Sequence, residues 1–315
     1  SPSTEGVDLM TIDFMGKRRL AVIFSSVILV GSIVALTVLG VNRGLDFTGG
    51  ALIEVGFVEP VEPATVRDVL NEVGYANAVV QNFGSETDVL IRVPPNQGAS
   101  VTGDQSTLGD QIRAELGAKI GQVELRRSEF VGPTVGEELT EDGGLALLAA
   151  LGMIMVYIMF RFTGKFALGA VAALIHDVVI TIGAFAAFQW TFNLPELAAL
   201  LAVIGYSLND TIVVSDRIRE NFRGTRRGTS VEIINYSLNQ TLGRTLVTSL
   251  TTLFVLVTLL LVGGEQIAGF ARALTIGVVI GTYSSIYVAA TILLALQITR
   301  QDLAVPEKES ADNVP

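Results

Sequence analysis

LAVIFSSVILVGSIVALTVLGV, residues 20–41, runs without a single ionisable side chain. An α-helix climbs about 1.5 Å per residue, so roughly 20 apolar residues cross a hydrocarbon core of about 30 Å. The stretch is therefore read as a membrane-spanning helix. Lys17-Arg18-Arg19 before it gives it the look of a secretion signal. The apolar run is too long for the hydrophobic part of such a signal, and Val41-Asn42 offers no small-residue cleavage site. A retained anchor is expected.

Working outward, five further apolar stretches follow: Leu145–Phe160, Phe166–Trp190, Leu197–Val214, Leu246–Val262 and Ile276–Leu296. Half of the 315 residues are hydrophobic and the mean hydropathy is +0.55, too apolar for a water-wetted surface at this size. The expected fold class is a multi-pass α-helical membrane protein with six transmembrane helices. Basic residues set the orientation, because they are held back on the cytoplasmic side. Lys17, Arg18 and Arg19 precede the first span, and Arg161 and Lys165 separate the second and third. Arg217, Arg219, Arg223, Arg226, Arg227 and Arg244 separate the fourth and fifth, and Arg300 follows the sixth. Six crossings put all of them on one side, with both termini cytoplasmic.

That topology places residues 42–144 outside, and the segment is acidic, with 17 Asp or Glu against 7 Lys or Arg. Ala51–Phe57 alternates like a strand, and Ala64–Val73 reads as a helix following Pro63. Ala78–Phe83 and Asp88–Val93 read as two strands joined at Gly84-Ser85-Glu86. Leu108–Ile120 places Leu108, Ile112 and Leu116 on one helical face, and Val123–Phe130 is a last strand. The order β–α–β–β–α–β is that of a ferredoxin-like α+β domain. Asn96–Ser106, rich in Gly, Ser and Thr, is expected to be a mobile loop, and the polar tail (residues 301–315) to be disordered. Residues 1–19 then form the cytoplasmic amino-terminal segment and 145–300 the remaining five spans.

Composition excludes several functions. There is no cysteine and one histidine, so thiolate and multi-histidine metal centres are ruled out. A net charge of −10 argues against nucleic acid. The informative residues are the charges inside the spans, which cost several kcal/mol unless they face protein or water. His176 and Asp177 lie about ten residues, or roughly 15 Å, into the third span. Asp210 lies about thirteen residues into the fourth, which runs the other way. If these helices are neighbours, the three share one polar pocket.

Ser207, Asn209 and Thr211 supply polar groups around Asp210, and the fifth span opens on Arg244-Thr245 with Thr248 and Ser249 following. Arg244 is placed to reach inward from the membrane edge along its own stem. A carboxylate that loses water holds its proton more firmly, and one approached by a cation releases it. That is the physics of a proton relay. The alternative for Asp210 is a static helix–helix hydrogen bond. Asp216, Arg217, Arg219 and Glu220 fall where the fourth span leaves the membrane, and Asp216 with Arg219 is spaced as an i,i+3 salt bridge.

The run GYSLNDTIVVSDRIRENF, residues 205–222, resembles the signature of the SecD/SecF family of protein-export membrane proteins, within the resistance–nodulation–division superfamily. GLDFTGG (44–50), VGP (131–133), IHD (175–177), Arg244-Thr245 and Thr248-Ser249 support it, in the family's order along nearly the whole chain. The resemblance implies one six-helix half of a pseudo-symmetric twelve-helix unit in the bacterial inner membrane, completed by SecD. It implies association with the SecYEG channel, YajC, membrane lipid and unfolded preprotein, and use of the proton motive force in export. No cofactor is implied. The family's proton-pathway aspartate falls on Asp210 and its functional arginine on Arg244, with His176 and Asp177 in the same relay and Ser207, Asn209, Thr211, Thr248 and Asp216 supporting it. Two other readings stand beside this one: half of a superfamily exporter for small molecules or lipids, which needs an apolar aromatic cavity outside, and a purely structural scaffold.

Overall fold

The computed structural model describes residues 12–95, 107–224, 228–299 and 302. The expected loop at Asn96–Ser106, Arg226, Arg227, Arg300 and the tail beyond 302 lie outside the described residues.

After a 3₁₀ turn at Met15–Lys17, α1 spans Arg18–Val38. A one-turn helix α2 (Leu45–Thr48) leads into the outside domain: β1 (Gly50–Phe57), α3 (Pro63–Glu72), β2 (Val79–Phe83), β3 (Ser85–Val93), α4 (Leu108–Lys119) and β4 (Val123–Val131). The strands pair antiparallel in the order β2-β3-β1-β4, the ferredoxin-like arrangement expected from the sequence. One face of each strand alternates into the core. Ile53, Val55, Val89 and Ile91 meet Val66 and Leu70 from α3 and Ile112 and Leu116 from α4, all without solvent exposure. Each such side chain contributes roughly 1.5–3 kcal/mol on burial, enough for a core of this size to hold two helices on a four-stranded sheet. The opposite sheet face, with Leu52, Leu90 and Arg92, looks toward the outer end of the membrane helices across a cavity of about 600 Å³.

The bundle continues with α5 (Pro133–Arg161), α6 (Gly164–Phe188), α7 (Leu194–Gly224), α8 (Ser230–Val262), α9 (Glu265–Ile286) and α10 (Val288–Ala295). Among the described residues, six helical segments, α9 and α10 forming one of them, are long and apolar enough to cross a membrane. Several run beyond the apolar stretches seen in the sequence. The second begins at Pro133 and not Leu145, because proline at a first helical position starts the helix in the acidic stretch before the apolar one. The fifth begins at Ser230, sixteen residues before Leu246, where Thr229 and Glu232 form a reciprocal capping box. The fourth continues to Gly224 beyond Val214, and the sixth starts at Glu265 and breaks at Tyr287. Hydropathy marks where a helix is apolar, and these ends are polar turns that caps stabilise.

Within the bundle α6, α7 and α9 are central, and α1, α5 and α8 turn apolar side chains such as Phe24, Met159 and Phe254 outward. Small residues let backbones approach closely where no hydrophobic drive operates. A side-chain carbon at Gly183 would fall 2.3 Å from Ser32 of α1, and one at Gly277 would fall 2.1 Å from Val203 of α7. The second contact lies in the most extensive helix pair of the bundle, α7 with α9.

The described residues nearest the two termini are tied down. Asn235 and Asn239, one turn apart on α8, accept from the amides of Phe14 and Ile12 at 2.8 Å each. Asp302, expected in a disordered tail, accepts from Lys165 Nζ and from the Thr299 amide, both at 2.7 Å. Those donors hold its carboxyl well below the usual range, at about 2.

Candidate functional site: two buried carboxylates on a shared serine pair

Asp177 on α6 and Asp210 on α7 are buried, with 1% and 7% of their surface exposed. Each is held by hydroxyl groups from neighbouring helices. Asp177 Oδ2 accepts from Ser207 Oγ of α7 at 2.5 Å and from Ser284 Oγ of α9 at 2.7 Å. Its Oδ1 lies 3.0 Å from His176 Nδ1, so a charged Asp177 requires the His176 proton on that nitrogen. His176 Nε2 is then left buried without a hydrogen-bond partner among the described residues. Asp210 Oδ1 accepts from Thr245 Oγ1 of α8 at 2.5 Å, and its Oδ2 accepts from Ser285 Oγ of α9.

The two carboxylates therefore do not share one pocket, as the sequence suggested. They occupy two clusters joined by adjacent residues, Ser284 and Ser285, immediately before the helix break at Tyr287. Both serines have a second acceptor on their own helix: Gly281 O at 3.1 Å for Ser284 and Thr282 O at 3.0 Å for Ser285. Each hydroxyl can donate to an ionised carboxylate, or turn to its own backbone and accept from a protonated one. Among the described residues, no three His, Asp or Glu side chains gather as a metal ion would need.

Ser207 and Thr211 are both buried, the first bonded to Asp177 and the second with its hydroxyl unpartnered among the described residues. Other expectations are corrected. Arg244 lies exposed on α8 and forms no ion pair with Asp210; successive residues on a helix point about 100° apart, and it is Thr245 that turns inward. Thr248 is exposed, and its hydroxyl returns to the carbonyls of Arg244 and Thr245 at 3.0 Å each. Asn209 is exposed beside Asp210, on the open side of α7. Asp216 pairs with Arg161 of α5 at 3.1 Å and not with Arg219, whose guanidinium donates to the Arg161 carbonyl. Arg217 takes the i,i+3 partner Glu220.

Sequence reasoning missed Ser284 and Ser285, whose signal is a hydroxyl pair inside an apolar span. It also missed the next polar step, where Tyr206 donates to Ser249 at 3.3 Å and Ser249 meets Thr282 at 2.6 Å. Glu196, buried at the start of α7, accepts from the Asn193 amide at 2.7 Å.

A family model described as protein export membrane protein SecD/SecF, C-terminal, matches residues 111–299, and one described as the SecD/SecF GG motif matches residues 34–61. This chain belongs to the SecD/SecF family. The protein translocase subunit SecF of Vibrio alginolyticus is 50% identical over 305 residues, covering 96% of each chain. The crystal structure of SecDF, a translocon-associated membrane protein from Thermus thermophilus, matches with a TM-score of 0.81 at 36% identity, over 91% of this chain and 39% of that one. SecDF in its super-membrane-facing form matches over the same shares at 37% identity with a TM-score of 0.67. This chain thus spans about two fifths of the SecDF polypeptide.

Proposed function

We propose that this chain is the SecF-type half of a proton-driven accessory to the Sec translocase, working with a SecD-type half and the SecYEG channel in the bacterial inner membrane. The proton motive force advances an emerging preprotein through movement of the outside domain, and Asp210 is the group that exchanges the proton. YajC and surrounding lipid complete the assembly.

One observation carries this reading. Asp210 sits inside the spans on two hydroxyl donors, at the edge of an open face where Asn209 and Arg244 are exposed. A polar seam runs from it through Tyr206, Ser249 and Thr282. A buried carboxylate is costly unless it faces protein or water, and this one lies beside the exposed residues Asn209 and Arg244, where we place the second half. Seated there, that half brings Arg244 into a closed, water-poor interface with Asp210. Positive charge on alternate loops supports residues 42–144 outside and both termini in the cytoplasm. The cavity is lined by Arg92, Arg127, Arg272 and amide side chains beside Phe83, Trp190 and a few aliphatic residues, a more polar wall than the exporter alternative asks for.

The test uses inverted vesicles carrying the channel, its ATPase and the SecD-type subunit, with and without this chain, holding a preprotein stalled late in transit. Imposing a proton gradient should advance the preprotein only when the chain is present, and a protonophore should stop it. Equal gradient-dependent export without the chain would overturn the reading.

A further inference from the structure

Besides its two covalent links, the outside domain is clipped to the membrane bundle at a place that grips the start of the helix carrying Asp210. Residues 42–44, between α1 and α2, lie beside the loop from α6 to α7. Phe192 N donates to Asn42 O at 2.9 Å, and Gly44 N donates to Phe192 O at 2.8 Å, forming a parallel bridge. Asn42 Nδ2 donates to Gln189 O at 2.9 Å, and Gln189 Nε2 donates to Gly40 O at 3.2 Å. Phe47 of α2 stacks on Phe192 with ring centres 6.1 Å apart. A side-chain carbon at Gly44 would fall 1.5 Å from Asn193 Oδ1, so any larger residue there displaces the Asn193 side chain.

The first amides of a helix have no partner inside it. On α7 the amide of Leu194 donates to Asp46 Oδ2 of α2, at 2.9 Å. A carboxylate at a helix N-terminus is favoured by both hydrogen bonding and the helix dipole. This one comes from a separate segment, 148 residues earlier in the chain.

From α2 the path continues into the sheet. Arg92 of β3 donates through Nη2 to Arg43 O at 2.5 Å and to Thr48 Oγ1 at 2.8 Å. The foot of α5 is included as well, since Thr140 Oγ1 donates to Phe47 O at 3.3 Å. Below the clip α7 runs unbroken from Leu194 to Gly224. Asp210 lies sixteen residues from Leu194, about 24 Å along a continuous helix. A shift or rotation of α7 at Asp210 therefore arrives at Leu194 undiminished.

We propose that Asp46 is the coupling residue of this protein, a positioning group that ties the start of α7 to the outside domain so that displacement of α7 moves the domain. The inference rests on the proton-driven reading given above. It goes further in separating proton movement from its mechanical use.

The experiment measures proton flux and gradient-driven export in the same reconstituted vesicles of the complete complex. Asp46→Leu removes the acceptor at nearly constant size. Its flux should stay within twofold of the native complex, and its export should fall about tenfold, as for loss of one hydrogen bond to a charged acceptor. Asp46→Asn keeps a carbonyl oxygen for the Leu194 amide and should restore most of the export. Leu194→Pro deletes the same bond from the α7 side, at a first helical position that accepts proline. It should reproduce the Asp46→Leu phenotype, and it decides the matter alone if Asp46→Leu fails to assemble. Native export in either bond-deleting variant, or flux and export falling together in an intact complex, would overturn the proposal. An Asp210→Asn complex that keeps gradient-driven export would instead sink the proton reading.

Discussion

Asp210→Asn separates what Asp210 does for the fold from what it does for transport. In the native chain Oδ1 accepts from Thr245 and Oδ2 from Ser285. Asparagine keeps the Thr245 bond with its carbonyl oxygen. Its amide nitrogen then faces Ser285, whose hydroxyl turns to Thr282 O, 3.0 Å away, and accepts instead. The second amide hydrogen gains no acceptor among the groups that bond Asp210. The cost is the difference between two charge-assisted bonds, about 1.5–3 kcal/mol each, and two neutral ones at about 0.5–1.5. Against that, a charge at the helix centre is removed, worth about 2.5–3.5 kcal/mol on insertion scales.

The two nearly cancel, so the variant should melt within a few degrees of the native complex. Transport should behave differently, because an amide neither takes up nor releases a proton at any working pH. Gradient-driven export in vesicles should fall to the level seen with a protonophore, and so should proton flux. Full export with the complex intact would make Asp210 a packing residue and refute the argument. A collapse of the melting temperature would refute the hydrogen-bond inventory instead.

Gly277→Ala should destabilise by about 1–3 kcal/mol, as overpacked cores do, because Val203 is fully buried and stiff at its branched carbon, and the new methyl would lie 2.1 Å from it. Val203→Ala in the same chain should recover part of the loss in a thermal melt; no recovery would place the strain elsewhere. Asp302 has its carboxyl lowered to about 2 by Lys165 and Thr299, so its contribution is present above the ordinary value of 3.8 and lost as pH falls through about 2. Protection of the Thr299 amide, taken relative to its intrinsic exchange rate at each pH, should fall over that window, and in Asp302→Asn that protection should no longer depend on pH there; with both partners partly exposed the effect is about 0–1 kcal/mol. Because the chain has no cysteine, Glu86→Cys and Glu220→Cys can be labelled singly in intact cells. An impermeant thiol reagent should reach the first and spare the second, and the reverse would invert the topology.

How much of this was legible in the sequence depends on what each residue's neighbours had to decide. The apolar middles of six spans need no neighbours, since the bilayer alone demands them, and they were read correctly. The outside domain was equally legible, because alternation in Ala51–Phe57 and the helical face of Ile112 and Leu116 are local patterns. Helix ends were not. The polar turn from Ser230 to Arg244 is helical because Thr229 caps it and Asn235 and Asn239 bind the amino-terminal segment, and hydropathy registers neither. The direction of Arg244 was equally hidden. Arg244 and Thr245 are adjacent in the same polar run, and only the packing of α8 on α7 and α9 settles which of them faces Asp210.

The carboxylates themselves announced their importance through their cost in a membrane, but nothing in a linear sequence ranks them. The structure does. Asp177 is met from α6, α7 and α9 by three groups and is almost completely enclosed, which suits a group that holds helices together. Asp210 has two donors, and it borders the open face of α7 and α8. A proton arriving there changes which way Ser285 points. Ser285 is covalently next to Ser284, so a shift of α9 that relaxes one cluster disturbs the other, and the break at Tyr287 supplies the place where α9 can yield. On the function proposed above, the exchangeable proton sits on Asp210 and Asp177 is the anchor. Asp177→Asn should accordingly loosen the contact of α6 with α7 and α9 and lower the melting temperature, whereas Asp210→Asn should leave it nearly where it was.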